Sequence, residues 1–417
     1  MLKTVAGARL RLARARWALS GARILHRAGL LRLLHPVTTL RDGQELRRWG
    51  TLAGTIRIAA RRRPYALGVV DDRGALTLGD LDRRSNALAW AWRGQGVRQD
   101  SAVGVLCRNH RGLLDAVFAA AKLGAQVVLL DTGLGASALV EAVQHEGVTA
   151  LVYDAEFAHL VAALPDRVGR FAAWAGDGHG AVTLDELIAA APPHEPPPPA
   201  EPGGLVLLAR ARGGARRGVP CRANPGHVAA RFLERIPLRP GDVTLVAAPL
   251  WGVAGLVPCI VALALGCPVV LCRHTEPTVI GAALARHGCT VLAATPDQLP
   301  RLARPARAVL TFGAPDAVLA EGFGDVLHVW YGTPAVPVLA VATPRDWRAA
   351  PGTVGRAALG YRLVVLGPDG QPAAIGLVGR VHVLDLLAGK AARSQVRVGH
   401  LGHLGHLDAS GRLVLVE

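Results

Sequence analysis

From Tyr65 onward the apolar and polar residues fall into blocks whose period switches between two and about 3.6, the signature of strands alternating with helices. The segment "ALGVVDDRGALTLGDL" reads as two short strands turning at Asp72-Arg73-Gly74, because Asp and Gly admit a tight reversal. "DRRSNALAWAWRGQG" then places Leu, Ala and Trp at helical spacing, and "AVGVLC" is an apolar run of strand length. The alternation continues through the helix "GLLDAVFAAAKLG", the strand "AQVVLLD", the helix "ASALVEAVQHEG" and the strand "TALVYD". Successive βα units of this kind connect by right-handed crossovers and give a parallel sheet with helices on both faces.

The proline-rich stretch "APPHEPPPPAEPGG" marks a boundary, and a second αβ series follows it. From Pro351 the tail is glycine-punctuated and strand-like ("YRLVVLGPDGQPAAIGLVGRVHVLD"), which predicts a small β-barrel or curled sheet. The predicted fold class is therefore α/β: two parallel-sheet αβ subdomains plus a small β-barrel-like subdomain. The boundaries expected are a basic helical arm over 1–48, the first αβ subdomain over 49–195, the second over 196–350 and the β subdomain over 351–417. Val243 to Cys272 runs without a charge, longer than the roughly twenty residues that cross a bilayer. Pro249, Pro258 and Pro268 with Gly252, Gly255 and Gly266 break it into short pieces, so it reads as a buried helix between two core strands.

Length and composition narrow this picture. With 417 residues, of which 51% are hydrophobic, the chain has a substantial core and is not wholly disordered. The net charge of +16 is concentrated at one end, where residues 1–63 hold Lys3 and fourteen arginines against Asp42 and Glu45 alone. The rest is nearly balanced, so nucleic acid is not an expected partner. Arg9, Arg16 and Arg23 fall on one face of the arm, but Arg11 and Arg14 interrupt the opposite side. Two readings stay open: peripheral membrane contact through the arm, and an arm that packs a few Leu and Trp17 on the body. Cys107, Cys221, Cys259, Cys267, Cys272 and Cys289 form no CxxC pair. They read as buried free thiols with no metal site, in a cytoplasmic protein with membrane association left open.

Several segments resemble the AMP-forming acyl-CoA synthetases of the adenylate-forming superfamily: "ALTLGDLDRRSNALAWAWRGQGV", "LCRNHRGLLDAVFAAAKLGAQVVLLDTG", "GDVTLVAAPL", "FGDVLHVWYGT", "APGTVGRAALGYRLVVLGPDGQP" and "GHLDASGRLVLV". The resemblance runs from about residue 50 to the end and implies the large N-terminal domain of that family. It implies joining a carboxylate to ATP as an acyl-adenylate, releasing pyrophosphate and passing the acyl group to the thiol of CoA.

Matched residue by residue, the family's motifs are degenerate. Its Gly/Ser/Thr-rich phosphate loop ending in Lys-Gly corresponds to "ARARGGARRGVP", residues 209–220. Gly213, Gly214 and Gly218 keep the backbone freedom of a phosphate cradle, but Arg210 and Arg212 replace hydroxyls and Arg217 replaces the lysine. "FGAPD", with Gly313, Ala314 and Pro315, resembles the adenine-pocket turn. In the adenine segment Tyr331, Gly332 and Thr333 survive, whereas Ala335 stands where the family's Glu holds magnesium. His403 stands where an Asp binds the ribose hydroxyls, and His400, His403 and His406 at three-residue spacing read as surface histidines rather than a metal tract. Trp251, Gly252 and Gly255 occupy the acyl region. The chain stops at Glu417, where the family continues through a hinge arginine into a mobile C-terminal domain with the catalytic lysine, and Lys390 lies too early to be that lysine.

The expected function is a non-catalytic homologue that binds an acyl chain, a nucleotide or a protein partner. The alternative is an acyl-CoA ligase completed in trans by a separate C-terminal domain. ATP or AMP is the nucleotide the resemblance implies, no catalytic residue is assigned, and magnesium is not expected because Ala335 has no carboxylate.

Overall fold

The computed structural model describes residues 2–32, 34–176, 180–210, 216–302, 306–316, 318–386 and 403–416. Two compact units emerge, one comprising Met1–Leu31, Ala223–Leu238 and Ala294–Glu417, the other Arg32–Arg222 and Arg239–Ala293.

In the second of these units the βα repetition becomes a six-stranded sheet in the order Gly169–Trp174, Val148–Asp154, Ala102–Leu106, Gln126–Leu129, Leu205–Arg210, Arg216–Pro220. Pairing is parallel up to Leu205–Arg210, and Arg216–Pro220 returns antiparallel to it. The strands are short and rich in Val, Leu and Ala because both faces are covered, and Val103, Val105, Val127, Leu129 and Leu151 are fully buried. Helix Leu78–Gly94 begins with a capping box in which Thr77 and Asp80 satisfy each other's backbone amides. Helix Arg111–Lys122 is buried along its whole length.

A second sheet of the same unit follows the order Val291–Ala293, Thr244–Val246, Val269–Leu271, Leu67–Asp71, Gly74–Thr77. The hairpin between its last two strands turns at Asp72 and Arg73, where it was expected. The uncharged stretch resolves into strand Thr244–Val246, helix Val253–Leu265 and strand Val269–Leu271. It is core, and among the described residues no helix is long and apolar enough to cross a membrane.

Residues Pro36–Arg62 are helical but do not form one straight rod. Asp42 pairs with both Arg61 and Arg62, a separation that would span roughly 30 Å along a continuous helix. The chain folds back at Gly50, whose φ of 75° and ψ of −176° lie in a region essentially reserved for glycine. A Cβ there would also come within 2.8 Å of the Pro202 Cβ. Gly50→Ala should therefore lower stability by about 1–3 kcal/mol in chemical denaturation, the usual cost of such a backbone; an unchanged midpoint would mean that the reversal does not depend on this conformation.

In the other unit the strands form a ladder in the order Tyr361–Leu366, Gly379–Asp385, Leu404–Leu407, Arg412–Val416, Thr353–Ala357, Val336–Ala342, Leu327–Thr333, Ala308–Phe312. Every neighbouring pair is antiparallel except the last. The tail is strand-rich as expected, but among the described residues it does not close into the barrel that the glycine pattern suggested. Thr353–Ala357 has Arg412–Val416 on one edge and Val336–Ala342 on the other, leaving no edge for Tyr361–Leu366 to close upon. Helix Leu2–Arg27, its side chains described from Arg14, lays Trp17, Ala18, Gly21 and Leu25 beside helix Pro225–Leu233 around a cavity of about 230 Å³.

Candidate nucleotide and acyl site

The residues singled out in the sequence are distributed over both units. In the Ala294–Glu417 segment, strand Leu327–Thr333 carries Trp330, Tyr331, Gly332 and Thr333 and reverses through Pro334 and Ala335 into Val336–Ala342. Trp330 is buried between Phe232 and Phe312, with ring centroids 5.5 Å away on each side. Tyr331 is 2% exposed, and burial pushes its phenol up to about 12. The Thr333 hydroxyl accepts the Val336 amide at 3.2 Å, which fixes the two-residue turn. Ala335 is exposed at the tip of that turn. The donors offered here do not fit a magnesium ion, since Ala335 has no side-chain oxygen and the Thr333 hydroxyl is already engaged.

Strand Ala308–Phe312 leads into Gly313, whose φ is positive and whose amide donates to the Trp330 carbonyl. Ala314 is exposed and Pro315 buried beside it. The backbone therefore ties the predicted adenine-pocket turn to the strand that carries Tyr331.

His403 is where sequence reading fell short. It was expected as one of several surface histidines, and it is exposed, but its Nδ1 shares a hydrogen bond with the Tyr331 hydroxyl. The two rings lie with centroids 5.7 Å apart. Its carbonyl accepts the Val381 amide, so the backbone at this point is anchored to the neighbouring strand. Partial desolvation of the ring pushes the imidazole pKa down, so the neutral form dominates near pH 7. His400 lies outside the described residues, and His406 sits in strand Leu404–Leu407.

In the Arg32–Arg222 and Arg239–Ala293 unit, the described residues of the predicted loop over 209–220 are strand: Leu205–Arg210 pairs antiparallel with Arg216–Pro220. Gly213 and Gly214 lie outside the described residues, as does Arg212. Gly218 is a strand residue rather than part of a flexible cradle. Its amide donates to Glu146 Oε1 at 3.1 Å, and a Cβ on it would meet that carboxylate at 2.4 Å. Arg217, opposite Ala209 in the ladder, is exposed. Arg216 pairs with Asp131 and places its guanidinium carbon 5.8 Å from the Trp251 ring centroid. The correction has a physical cause: Val206 to Arg210 pair residue for residue with Pro220 back to Arg216, and cross-strand pairing of this kind leaves no local sequence signal.

Trp251 and Gly252 lead into helix Val253–Leu265, with Gly252 at its N-cap. Gly255 is buried where a Cβ would approach the Ala248 and Pro249 carbonyl oxygens to 2.3 and 2.5 Å, so this corner closes only with glycine. Asn109, which the sequence did not single out, holds the same corner. Its Nδ2 donates to the Val246 and Ala248 carbonyls at 3.1 and 2.9 Å, and its Oδ1 accepts the Leu250 amide at 2.9 Å.

The turn that carries Asn109 is braced by a buried cluster. Asp154 accepts from the Arg108 amide at 2.9 Å and from His110 Nε2 at 2.7 Å. Cys107, His110 and Asp154 present their ligand-type atoms within 4.8 Å of one another, a spacing compatible with a metal ion. The hydrogen bonding argues against one. His110 Nδ1 accepts the Gly112 amide at 3.1 Å, so the ring proton sits on Nε2 and is given to Asp154. A metal-bound Nε2 would need the opposite tautomer. Burial, reinforced by Asp154, also pushes the Cys107 thiol well up, which keeps it protonated. The available clue to this brace was an Asn-His pair between a strand and a helix start, with an Asp ending a later strand.

The sequence pattern of the AMP-binding enzyme family matches residues 56–210 and 213–384. The chain belongs to the AMP-binding enzyme family. This member of the family is 29% identical over 346 residues to a feruloyl-CoA synthase from an Amycolatopsis species, a match covering 78% of this chain and 68% of that one. Its fold is similar to the N-terminal domain of FACL13 from Mycobacterium tuberculosis, with a TM-score of 0.73, 20% identity, and coverage of 88% of this chain and 100% of that one. It is also similar to the anthranilate CoA ligase AuaEII in complex with anthranoyl-AMP, with a TM-score of 0.74, 18% identity, and coverage of 88% and 76%. The α/β fold and the acyl-CoA synthetase resemblance drawn from the sequence are both borne out.

Proposed function

We propose that this AMP-binding enzyme family member binds an adenine nucleotide and an aromatic or acyl carboxylate and does not turn them over. The observation that carries this reading is the Tyr331–His403 hydrogen bond. It joins two residues, 72 positions apart, that the family resemblance places on the adenine and the ribose, while the ribose position offers imidazole instead of a carboxylate. Ala335 removes the carboxylate that would neutralise phosphate charge. The Gly218 amide, a candidate phosphate donor, is already held by Glu146. Losing a single preorganised electrostatic group typically costs roughly 10²–10³ in rate, so losses at several positions leave little chemistry.

The feruloyl-CoA synthase match supports the choice of an aromatic carboxylate. Calorimetry of the full chain with AMP and ATP, paired with pyrophosphate exchange over ferulate, anthranilate and a series of fatty acids, tests the proposal. The expected result is heat on AMP addition and no carboxylate-dependent exchange above background. Exchange that depends on a carboxylate and disappears in Arg217→Ala would instead establish an active ligase.

A further inference from the structure

We infer that the Tyr331–His403 pair makes the ribose side of this site a hydrogen-bond donor, so that it selects adenine compounds bearing a phosphate on the ribose 2′ or 3′ oxygen over those with a free diol. The inference rests on the adenine-site reading above.

The hydrogen-bond inventory of the two side chains leads to it. A buried phenol needs an acceptor for its proton, and the ring nitrogen that meets the Tyr331 hydroxyl is His403 Nδ1, so the accepting tautomer is assigned to it on that ground. The imidazole Nδ1 lone pair is thereby occupied. A neutral imidazole with an accepting Nδ1 carries its proton on Nε2, and His403 is an exposed residue. Rotation of the ring is restrained by the same bond, and the backbone is restrained by the Val381 amide donating to the His403 carbonyl.

A carboxylate in this position would accept from both hydroxyls of a diol. A fixed N–H donor accepts from neither and provides one neutral bond at most. A phosphate monoester reverses the balance, because it presents only acceptors when ionised and makes a charge-assisted bond of roughly twice the strength. The carboxylate-to-imidazole exchange therefore changes which ligand is recognised as well as how tightly.

The test is calorimetry of the full chain with adenosine, adenosine 2′-monophosphate, adenosine 3′-monophosphate and AMP, with inorganic phosphate as a control. Wild type is expected to bind one of the two ribose monophosphates about tenfold or more tighter than adenosine, the size of one hydrogen bond to a charged group. The 2′ and 3′ arms identify which oxygen faces His403. Tyr331→Phe keeps both rings but frees the tautomer, and should reduce the preference to about threefold or less. His403→Asp should reverse it in favour of adenosine, and since His403 is exposed the substitution leaves the core intact.

Equal or tighter binding of adenosine by wild type overturns the inference while leaving the adenine site standing. A preference that persists in His403→Asp, or that inorganic phosphate competes away, also overturns it. Absence of heat with every adenine compound, AMP included, removes the adenine-site reading and this inference together.

Discussion

Asn109→Ala is expected to destabilise the chain by on the order of 3 kcal/mol and to weaken binding of an aromatic carboxylate more than binding of AMP. The side chain is 5% exposed and makes a donor, donor and acceptor set to Val246, Ala248 and Leu250. Truncation strands two carbonyls and one amide in the interior, and each buried group left without a partner costs about 1–3 kcal/mol. The strain falls on the corner that delivers Trp251 and Gly252 to the start of helix Val253–Leu265. Gly255 packs against the Ala248 and Pro249 carbonyls, so a loosened corner also disturbs the helix entry. Asn109→Asp should be worse than alanine, because it sets a carboxylate against two carbonyl oxygens. Urea unfolding gives the stability term and calorimetry with ferulate and AMP gives the two affinities. A cost well under 1 kcal/mol, or an equal loss for both ligands, would mean that Asn109 does not hold this corner.

Asn109 also illustrates which parts of the molecule were legible in its sequence. Strand Ala102–Leu106, helix Arg111–Lys122 and strand Gln126–Leu129 follow directly from short apolar runs of strand or helix length, because each is covered on nearly all sides and its signal lies within a few residues. The break-up of the uncharged Val243–Cys272 stretch followed from Pro249 and Gly252 before the helix and Gly266 and Pro268 after it, whereas Gly255 and Pro258, also expected as breaks, lie inside helix Val253–Leu265. Pairings at long range had no such signal. His110 meets Asp154 across 44 positions, and Tyr331 meets His403 across 72. Nothing in the local spacing of either partner names the other. The same limit explains the fold-back at Gly50, since two helices with similar composition look continuous until Asp42 is seen against Arg61 and Arg62. It also explains the antiparallel pair Leu205–Arg210 and Arg216–Pro220, whose second strand reads locally as part of an arginine-rich loop and becomes a strand only through its pairing.

Lys122→Met is expected to cost about 3 kcal/mol, because it removes a buried ammonium and leaves the buried Ser85 and Asn86 oxygens and the part-exposed Asp82 carboxylate without their partner. In an arginine-rich chain this is one of three lysines, and it is fully buried. Its ammonium lies 2.7–2.9 Å from the Asp82 carbonyl, Asp82 Oδ1, Ser85 Oγ and Asn86 Oδ1. A compact ammonium can direct its protons to acceptors converging on one point, whereas a planar guanidinium cannot. Lys122→Arg should therefore also destabilise, despite conserving charge. Asn86 in turn donates to the Pro193 carbonyl, so the lysine also anchors the contact between helix Leu78–Gly94 and the proline-rich stretch. Burial pulls the Lys122 pKa from 10.5 down to about 8, although Asp82 opposes the shift. Between those two pH values the unfolded chain binds this proton and the folded chain does not, so wild-type stability should rise with pH across that window. Lys122→Met has no proton to release there, and its unfolding free energy should lack that rise. Parallel pH profiles for the two proteins would show that the ammonium is not the titrating group, and an unfolding cost near zero would show that its four acceptors find other partners.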